Sequence, residues 1–266
     1  MTVMLEGPTV RSLCDALERA SARMAATMRR VSDPALPAVG TWTIGETAHH
    51  VADSPVYFLS VAKGTVEPER LEDVDAGNAA GLAADAERAP WVLADRLERA
   101  ERDLVDYARS VEGDPTVQPF TGVHVPLSSL LAIELGELLV HGYDIAHAAG
   151  LPWHIDAGEA VLTDEGYIPL LPFALDRDKA RDLKLRLELR IRGGSRHVIV
   201  IDQGALRVEP PSARRVDCHL SVEPVAYLLV IWNRVGPWRP MLQGKLLPWG
   251  RRPHRVSTFQ SAVKVT

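Results

Sequence analysis

Glu134-Leu-Gly-Glu137-Leu-Leu-Val-His141-Gly-Tyr-Asp144-Ile-Ala-His147-Ala-Ala-Gly150 is the stretch on which the fold turns. Its apolar residues surround the helical axis almost completely, so the stretch reads as a helix buried in a bundle rather than lying on a surface. Positions i and i+4 share one face of a helix, which sets Glu137 beside His141. Charged groups on such a helix are costly to bury unless paired or coordinated. The helix starts after Pro126, a favoured first-turn residue, and stops at Gly150, a favoured residue just past a helix end, with Pro152 beyond.

Working outward, Thr41-Trp42-Thr-Ile-Gly-Glu46-Thr-Ala-His49-His50-Val-Ala-Asp-Ser-Pro55-Val-Tyr-Phe58 gives a second helix. Thr43 and Glu46 form a capping-box pattern, and a bend is expected at Pro55, which lacks the N–H of a helix interior. Ile44, Thr47, Val51, Ser54 and Phe58 mark its buried stripe. His49 and His50 both border that stripe about 100° apart, and the pattern does not choose between them. Residues 9–31 repeat apolar positions at Val10, Leu13, Leu17, Ala20, Met24 and Met28. Another helix is expected over 84–111, with Trp91, Leu93, Leu97, Leu104 and Tyr107 on its apolar side. The acidic, glycine-containing stretch 64–82 reads as a long surface connection. Four helices with mostly modest connections predict a four-helix bundle.

After Gly150 the period changes. Leu183–Ile191 alternates as a half-buried strand, Gly193-Gly194 turns into Arg196–Asp202, and 204–209 and 215–222 read as further short strands. A helix over Glu223–Asn233 precedes a Gly/Pro-punctuated tail. The expected layout is α + α/β two-domain, with a bundle over 1–150 and a smaller α+β domain over 151–266.

Composition narrows the function. With 266 residues, 46% of them hydrophobic and 24% charged, the chain has the profile of a globular protein. A net charge of −5 with interspersed signs disfavours a nucleic-acid partner. Cys14 and Cys218 lie far apart without metal-ligand neighbours, which suggests a reduced, cytoplasmic setting. The stretch Met1–Leu13 shows no secretory signal, and no apolar run approaches the roughly 20 residues of a membrane span, so no membrane partner is expected.

Two imidazoles and a carboxylate, with one position left open, form a catalytic rather than a structural zinc set. Glu137 and His141 supply two of the three ligands, and His49 or His50 the third. Asp144, three residues after His141, is placed to accept its other ring N–H. Glu134 adds like charge near Glu137 that a cation would relieve. The plainer reading has Glu134 and Glu137 facing solvent or pairing with arginines, and His147 and His154 exposed.

These residues resemble a known family. Trp42 through His50 resembles the tryptophan-to-histidine motif of the mycothiol-dependent maleylpyruvate isomerase family, whose N-terminal half is a DinB-like metal-binding four-helix bundle. Glu137-Leu-Leu-Val-His141-Gly-Tyr-Asp144 resembles its second motif. The resemblance places the ligand histidine eight positions after the tryptophan, on His50. It thus implies His50, Glu137 and His141 as ligands of Zn²⁺ or another divalent metal, and a C-terminal sterol-carrier-like α+β domain. Pro224-Val-Ala-Tyr-Leu-Leu-Val, Arg234 and Gly244-Lys-Leu echo that domain, though Asn233 stands where the family commonly has glycine before the arginine.

The implied activity is that of an actinobacterial-type thiol-dependent metalloenzyme. Mycothiol would be the cosubstrate, for S-transfer to, or cis-trans isomerisation of, a small electrophilic metabolite. Arg234 would hold a substrate carboxylate through its planar fork of donors. The alternatives are a metal-dependent hydrolase and a non-catalytic module binding an apolar ligand.

Overall fold

The computed structural model describes residues 8–263, so the stretch read for a secretory signal lies partly outside the described residues. The chain divides into two compact units, with the break between Ile155 and Asp156.

The N-terminal unit contains α1 (Val10–Met28), the short strands β1 (Pro37–Val39) and β2 (Trp42–Thr43), α2 (Ile44–Ala62), α3 (Val74–Ala84), α4 (Pro90–Ser110), the hairpin β3 (Thr116–Phe120) and β4 (Val123–Pro126), and α5 (Leu127–Ala148). Helices α1 and α2 each pack on both α4 and α5, which closes the bundle. Leu13, Leu17 and Met24 of α1, Leu93, Leu97 and Leu104 of α4, and Leu130, Leu131 and Leu135 of α5 are all sealed from solvent.

The start of α2 follows from its capping box. The Thr43 hydroxyl accepts the Glu46 N–H at 3.3 Å, and the Glu46 carboxylate accepts the Thr43 N–H at 2.8 Å. Pro55 lies inside α2 without ending it. Its ring cannot supply an N–H to the carbonyl four residues back, that of Val51. The Ser54 hydroxyl donates to that oxygen instead, at 3.2 Å.

Three expectations for this unit need correction. The stretch 64–82 is no plain connection: it holds a 3₁₀ turn at Leu71–Asp73 and then α3, which buries none of its residues. Five alanines in Val74–Ala84 favour a helix, against the breaker signal of Gly77 and Gly81. Helix α4 begins at Pro90, not at 84, because Asp85 ties down the preceding turn by accepting the Glu87 N–H at 2.9 Å. Trp91, expected on the apolar side, is 50% exposed.

The C-terminal unit begins with α6 (Ala157–Gly166), capped by Asp156, and the single turn α7 (Arg177–Ala180). Strands β5 (Leu185–Ile191), β6 (Arg196–Asp202), β7 (Ala205–Glu209) and β8 (Cys218–Val222) follow, then α8 (Pro224–Ile231), α9 (Trp238–Leu242), β9 (Leu246–Trp249) and α10 (Arg255–Ala262). Among the described residues the strands form one five-stranded sheet ordered β7-β6-β5-β8-β9, with β5 and β8 parallel and the other neighbours antiparallel. Leu185, Leu187, Leu189 and Ile191 turn one face of β5 into a core shared with Leu220, Val222, Val230 and Phe259. The tail is more ordered than its glycines and prolines suggest, since α9, β9 and α10 all lie in it. Each is eight residues or shorter, too brief for a period to show.

Helix α8 ends in a Schellman turn. The N–H groups of Asn233 and Arg234 donate to the carbonyls of Val230 and Leu229 at 3.1 and 2.8 Å. Asn233 takes the left-handed conformation there, with φ at 56°, so it fills the place where the resembled family puts glycine.

The chain is thus a helix-rich N-terminal unit followed by a mixed-sheet unit, the expected two-domain α plus α/β layout.

Candidate metal centre

His50 sits on α2, and Glu137 and His141 one turn apart on α5, which packs against it. The Nε2 atoms of His50 and His141 each lie 3.1 Å from the same oxygen, Glu137 Oε2. The three ligand atoms fall within 4.8 Å of one another. Tetrahedral ligands about 2.0 Å from a zinc ion stand about 3.3 Å apart, close to the two separations from Glu137, so this donor set can hold one divalent cation.

The surroundings hold these groups in place. His141 Nδ1 lies 3.0 Å from Asp144 Oδ2, so a neutral imidazole that donates there turns its Nε2 lone pair toward Glu137. Burial opposes charge on His141, but the hydrogen bonds to Asp144 and Glu137 outweigh it and raise the imidazole to about 9. Burial likewise pushes Glu137 up, yet its contacts with His141 and His50 hold the carboxyl far below the usual range. Both shifts have one cause, the close contact of the Glu137 carboxylate with the His141 imidazole.

Trp42 walls the site. Its ring centroid is 5.1 Å from that of His50 and 6.5 Å from that of His141. Thr43, the cap of α2, follows it directly, so the same capping box that starts the helix sets the indole over the imidazoles. On the far side of α5, Trp153 packs flat where Gly142 leaves room. A Cβ at 142 would meet the indole at 2.0 Å, which accounts for the small residue after His141. The Trp153 indole N–H donates to the Leu139 carbonyl at 3.0 Å and fixes that packing.

The structure separates the two neighbouring histidines. His49, 2% exposed, turns away from Glu137 and lies between Asp53 at 3.5 Å and Asp85 at 3.4 Å. Arg96 pairs with the same two carboxylates, so His49 belongs to a clasp between α2 and the turn before α4. His147 is exposed and stacks on Tyr143, and His154 is exposed. Glu134 does not face solvent: it is fully buried, and so is Glu101 on α4. Burial raises both carboxyls, Glu101 to about 8 and Glu134 well above its ordinary value. Glu101 escaped the sequence reading, although an acid between Leu97 and Leu104 on an apolar stripe is the signal that marks it. The wall formed by Trp42 also escaped it. Arg234 lies in the C-terminal unit, where its guanidinium donates to the Trp232 carbonyl at 2.6 Å.

Comparison with known proteins bears on this geometry. The family model described as the mycothiol maleylpyruvate isomerase N-terminal domain matches residues 11–146, just over half of the chain. No curated protein sequence matches. The crystal structure of the mycothiol-dependent maleylpyruvate isomerase is similar at 16% identity and a TM-score of 0.50, covering 86% of this chain and 90% of that one. A histidine-to-alanine mutant of that enzyme is similar at 14% identity and a TM-score of 0.52, with the same coverage. A stereoselective inverting sec-alkylsulfatase from Pseudomonas sp. overlaps 53% of this chain at 16% identity and a TM-score of 0.36, and the chain spans about a quarter of that protein's length, 25%. At these identities the likeness to the two isomerase structures is one of fold.

Proposed function

The chain belongs to the mycothiol maleylpyruvate isomerase N-terminal domain family, and from that premise we propose a divalent-metal enzyme that activates a low-molecular-weight thiol, mycothiol, toward a small electrophilic metabolite. The observation that carries the reading is the convergence of His50, Glu137 and His141 on one point between α2 and α5. Zn²⁺ is the assigned ion, since two imidazoles and one carboxylate with an open position form its catalytic ligand set. Bound there, the cation supplies the Lewis acidity that keeps an incoming thiol as thiolate at neutral pH.

The rest is the work of the chain's own residues. Glu137 contributes one negative charge and the two histidines neutral Nε2 donors, so the site stays net positive toward an anionic thiolate. Asp144 holds the tautomer of His141. Trp42 covers the imidazoles on one side and keeps bulk water from that flank. Neither cysteine serves as nucleophile: Cys14 and Cys218 are fully buried, and burial pushes each thiol up to about 11. The nucleophile therefore comes from the cosubstrate.

In isomerisation, the thiolate forms a C–S bond to one carbon of a conjugated cis-alkene while the alkene pair moves onto the conjugated carbonyl. Rotation about the new single bond follows, and return of the pair expels the same thiolate. In transfer, the C–S bond persists and the leaving group departs with its pair. Arg234 is assigned to the substrate carboxylate on its motif alone.

The test combines metal analysis with mass spectrometry. Protein purified without chelator carries about one divalent ion per chain, the His141→Ala variant loses it, and the His49→Ala variant keeps it. Incubated with mycothiol and a metabolite extract, the loaded enzyme yields thiol conjugates or isomerised acids. Equal metal loss in both variants would overturn the assigned ligands. Turnover without any thiol would replace this reading with hydrolysis.

A further inference from the structure

The segment Arg234–Arg255 departs from the rest of the chain in charge. It holds six arginines and lysines and no carboxylate, within a protein of net charge −5. Three of the six have acidic partners: Lys245 with Glu223 at 3.8 Å, Arg252 with Asp217 at 3.7 Å and Arg255 with Asp217 at 3.8 Å. Arg239 and Arg251 are exposed and form no ion pair among the described residues.

The same segment exposes large apolar side chains. Trp238 and Leu242, one turn apart on α9, are 74% and 89% exposed. Leu247 and Trp249, alternate residues on β9 and so on one face of the sheet, are 45% and 41% exposed. A turn closed by the Lys245 N–H on the Pro240 carbonyl, at 2.8 Å, joins the two elements. Trp249 is held rigid by stacking on His219, with ring centroids 4.9 Å apart and planes 11° from parallel. Strand β9 is the last in the sheet order, and Pro248 within it withholds one N–H from any strand that would pair there.

We propose that the α9–β9 surface docks the protein onto the headgroup layer of an anionic lipid bilayer. Tryptophan and leucine side by side with unpaired arginines form the combination that inserts at a lipid–water boundary, the rings and aliphatic chains entering below the headgroups and the cations resting on phosphates. Charge selects this occupant over a second copy of the chain, since joining two copies through this face sets the unpaired Arg239 and Arg251 of one against those of the other. Leu242 selects it over nucleic acid, because a leucine exposed at 89% gains nothing from a phosphate backbone. The expectation of no membrane partner rests on the lack of a spanning run, and no described helix is long and apolar enough to cross a membrane. A headgroup contact requires none.

The full chain, mixed with vesicles of phosphatidylcholine containing about one third phosphatidylglycerol, should sediment with them at low salt and be released at about 0.5 M salt. It should stay in solution with phosphatidylcholine alone. Leu242→Asp and Arg239→Glu should each weaken binding about tenfold. Both positions are exposed, and thermal midpoints matching the parent protein's would show that the fold is intact. Absence of binding to anionic vesicles, or binding by both variants as tight as the parent protein's, overturns the proposal. A dimer in sedimentation without lipid, abolished by Leu242→Asp, overturns it in favour of self-association.

Discussion

Glu101 and Glu134 are buried, and no cation among the described residues acts on either, which is an electrostatic cost the bundle carries in its core. Ser54 on α2, Cys14 on α1 and Glu137 on α5 are the polar neighbours within their reach. Burial raises Glu101 from 4.5 to about 8, so between these values the folded chain keeps a proton that the unfolded chain has released. A folded state that binds more protons than the unfolded one loses stability as pH rises. Stability contributed by this group should therefore be full below about pH 4.5, decline through the window up to about 8, and level off above it. Glu101→Gln removes the ionisation while keeping the shape, and should raise stability at pH 8 by about 2 kcal/mol with little change at pH 4.5. Thermal unfolding at the two pH values measures this, and an equal effect at both would show that charge is not the cause. The same pair shows what a residue-by-residue reading of sequence can reach. Glu137 and His141 were legible because helical spacing alone puts them together. Helical pattern left His49 and His50 open, and only the resemblance chose His50; the physical reason, the pull of Asp53 and Asp85 on His49, involves a segment distant in sequence.

At the scale of elements, the capped helices were the legible ones. Thr43 and Glu46 set the start of α2, and Gly150 the end of α5, because caps are local chemistry written in a few adjacent residues. Helix α3 and the elements of the tail were not legible: α3 buries nothing that would impose a period, and the others are too short to display one. The Schellman turn closing α8 gives an element-scale prediction. Asn233 bears the left-handed φ of 56° with a side chain, so Asn233→Gly should stabilise the protein by about 0.5 kcal/mol, read as a raised denaturation midpoint at unchanged slope. Asn233→Val, with a branched side chain in that conformation, should lower it by more than 1 kcal/mol, on the order expected for such strain.

For the whole molecule, the two compact units give the proposed metal a specific thermal signature. All three ligands lie in the N-terminal unit, between α2 and α5, and none in the sheet unit. An ion that binds only the folded state stabilises by RT ln(1 + [L]/Kd), about 2.7 kcal/mol at a hundredfold excess over Kd. Chelation should thus shift the calorimetric transition of the bundle downward and leave that of the sheet unit in place. A parallel shift of both would mean that the units unfold together. The two-unit layout was itself legible, because the change from a period near 3.6 to a period of two after Gly150 marks a change of packing partner. The placing of the proposed metal site in the first unit followed from the spacing of Glu137 and His141 alone.

Trp42 sits with its ring centroid 5.1 Å from that of His50, close enough for its excited state to sense whatever the imidazole binds. The protein thereby carries its own optical probe of site occupancy. Titration with Co²⁺ or Ni²⁺, whose open d shells drain indole excitation, should quench part of the emission, saturating at one ion per chain. The quenched fraction should vanish in Trp42→Phe although five other tryptophans remain. The residue that walls the site would then report, without any label, when the site fills and empties.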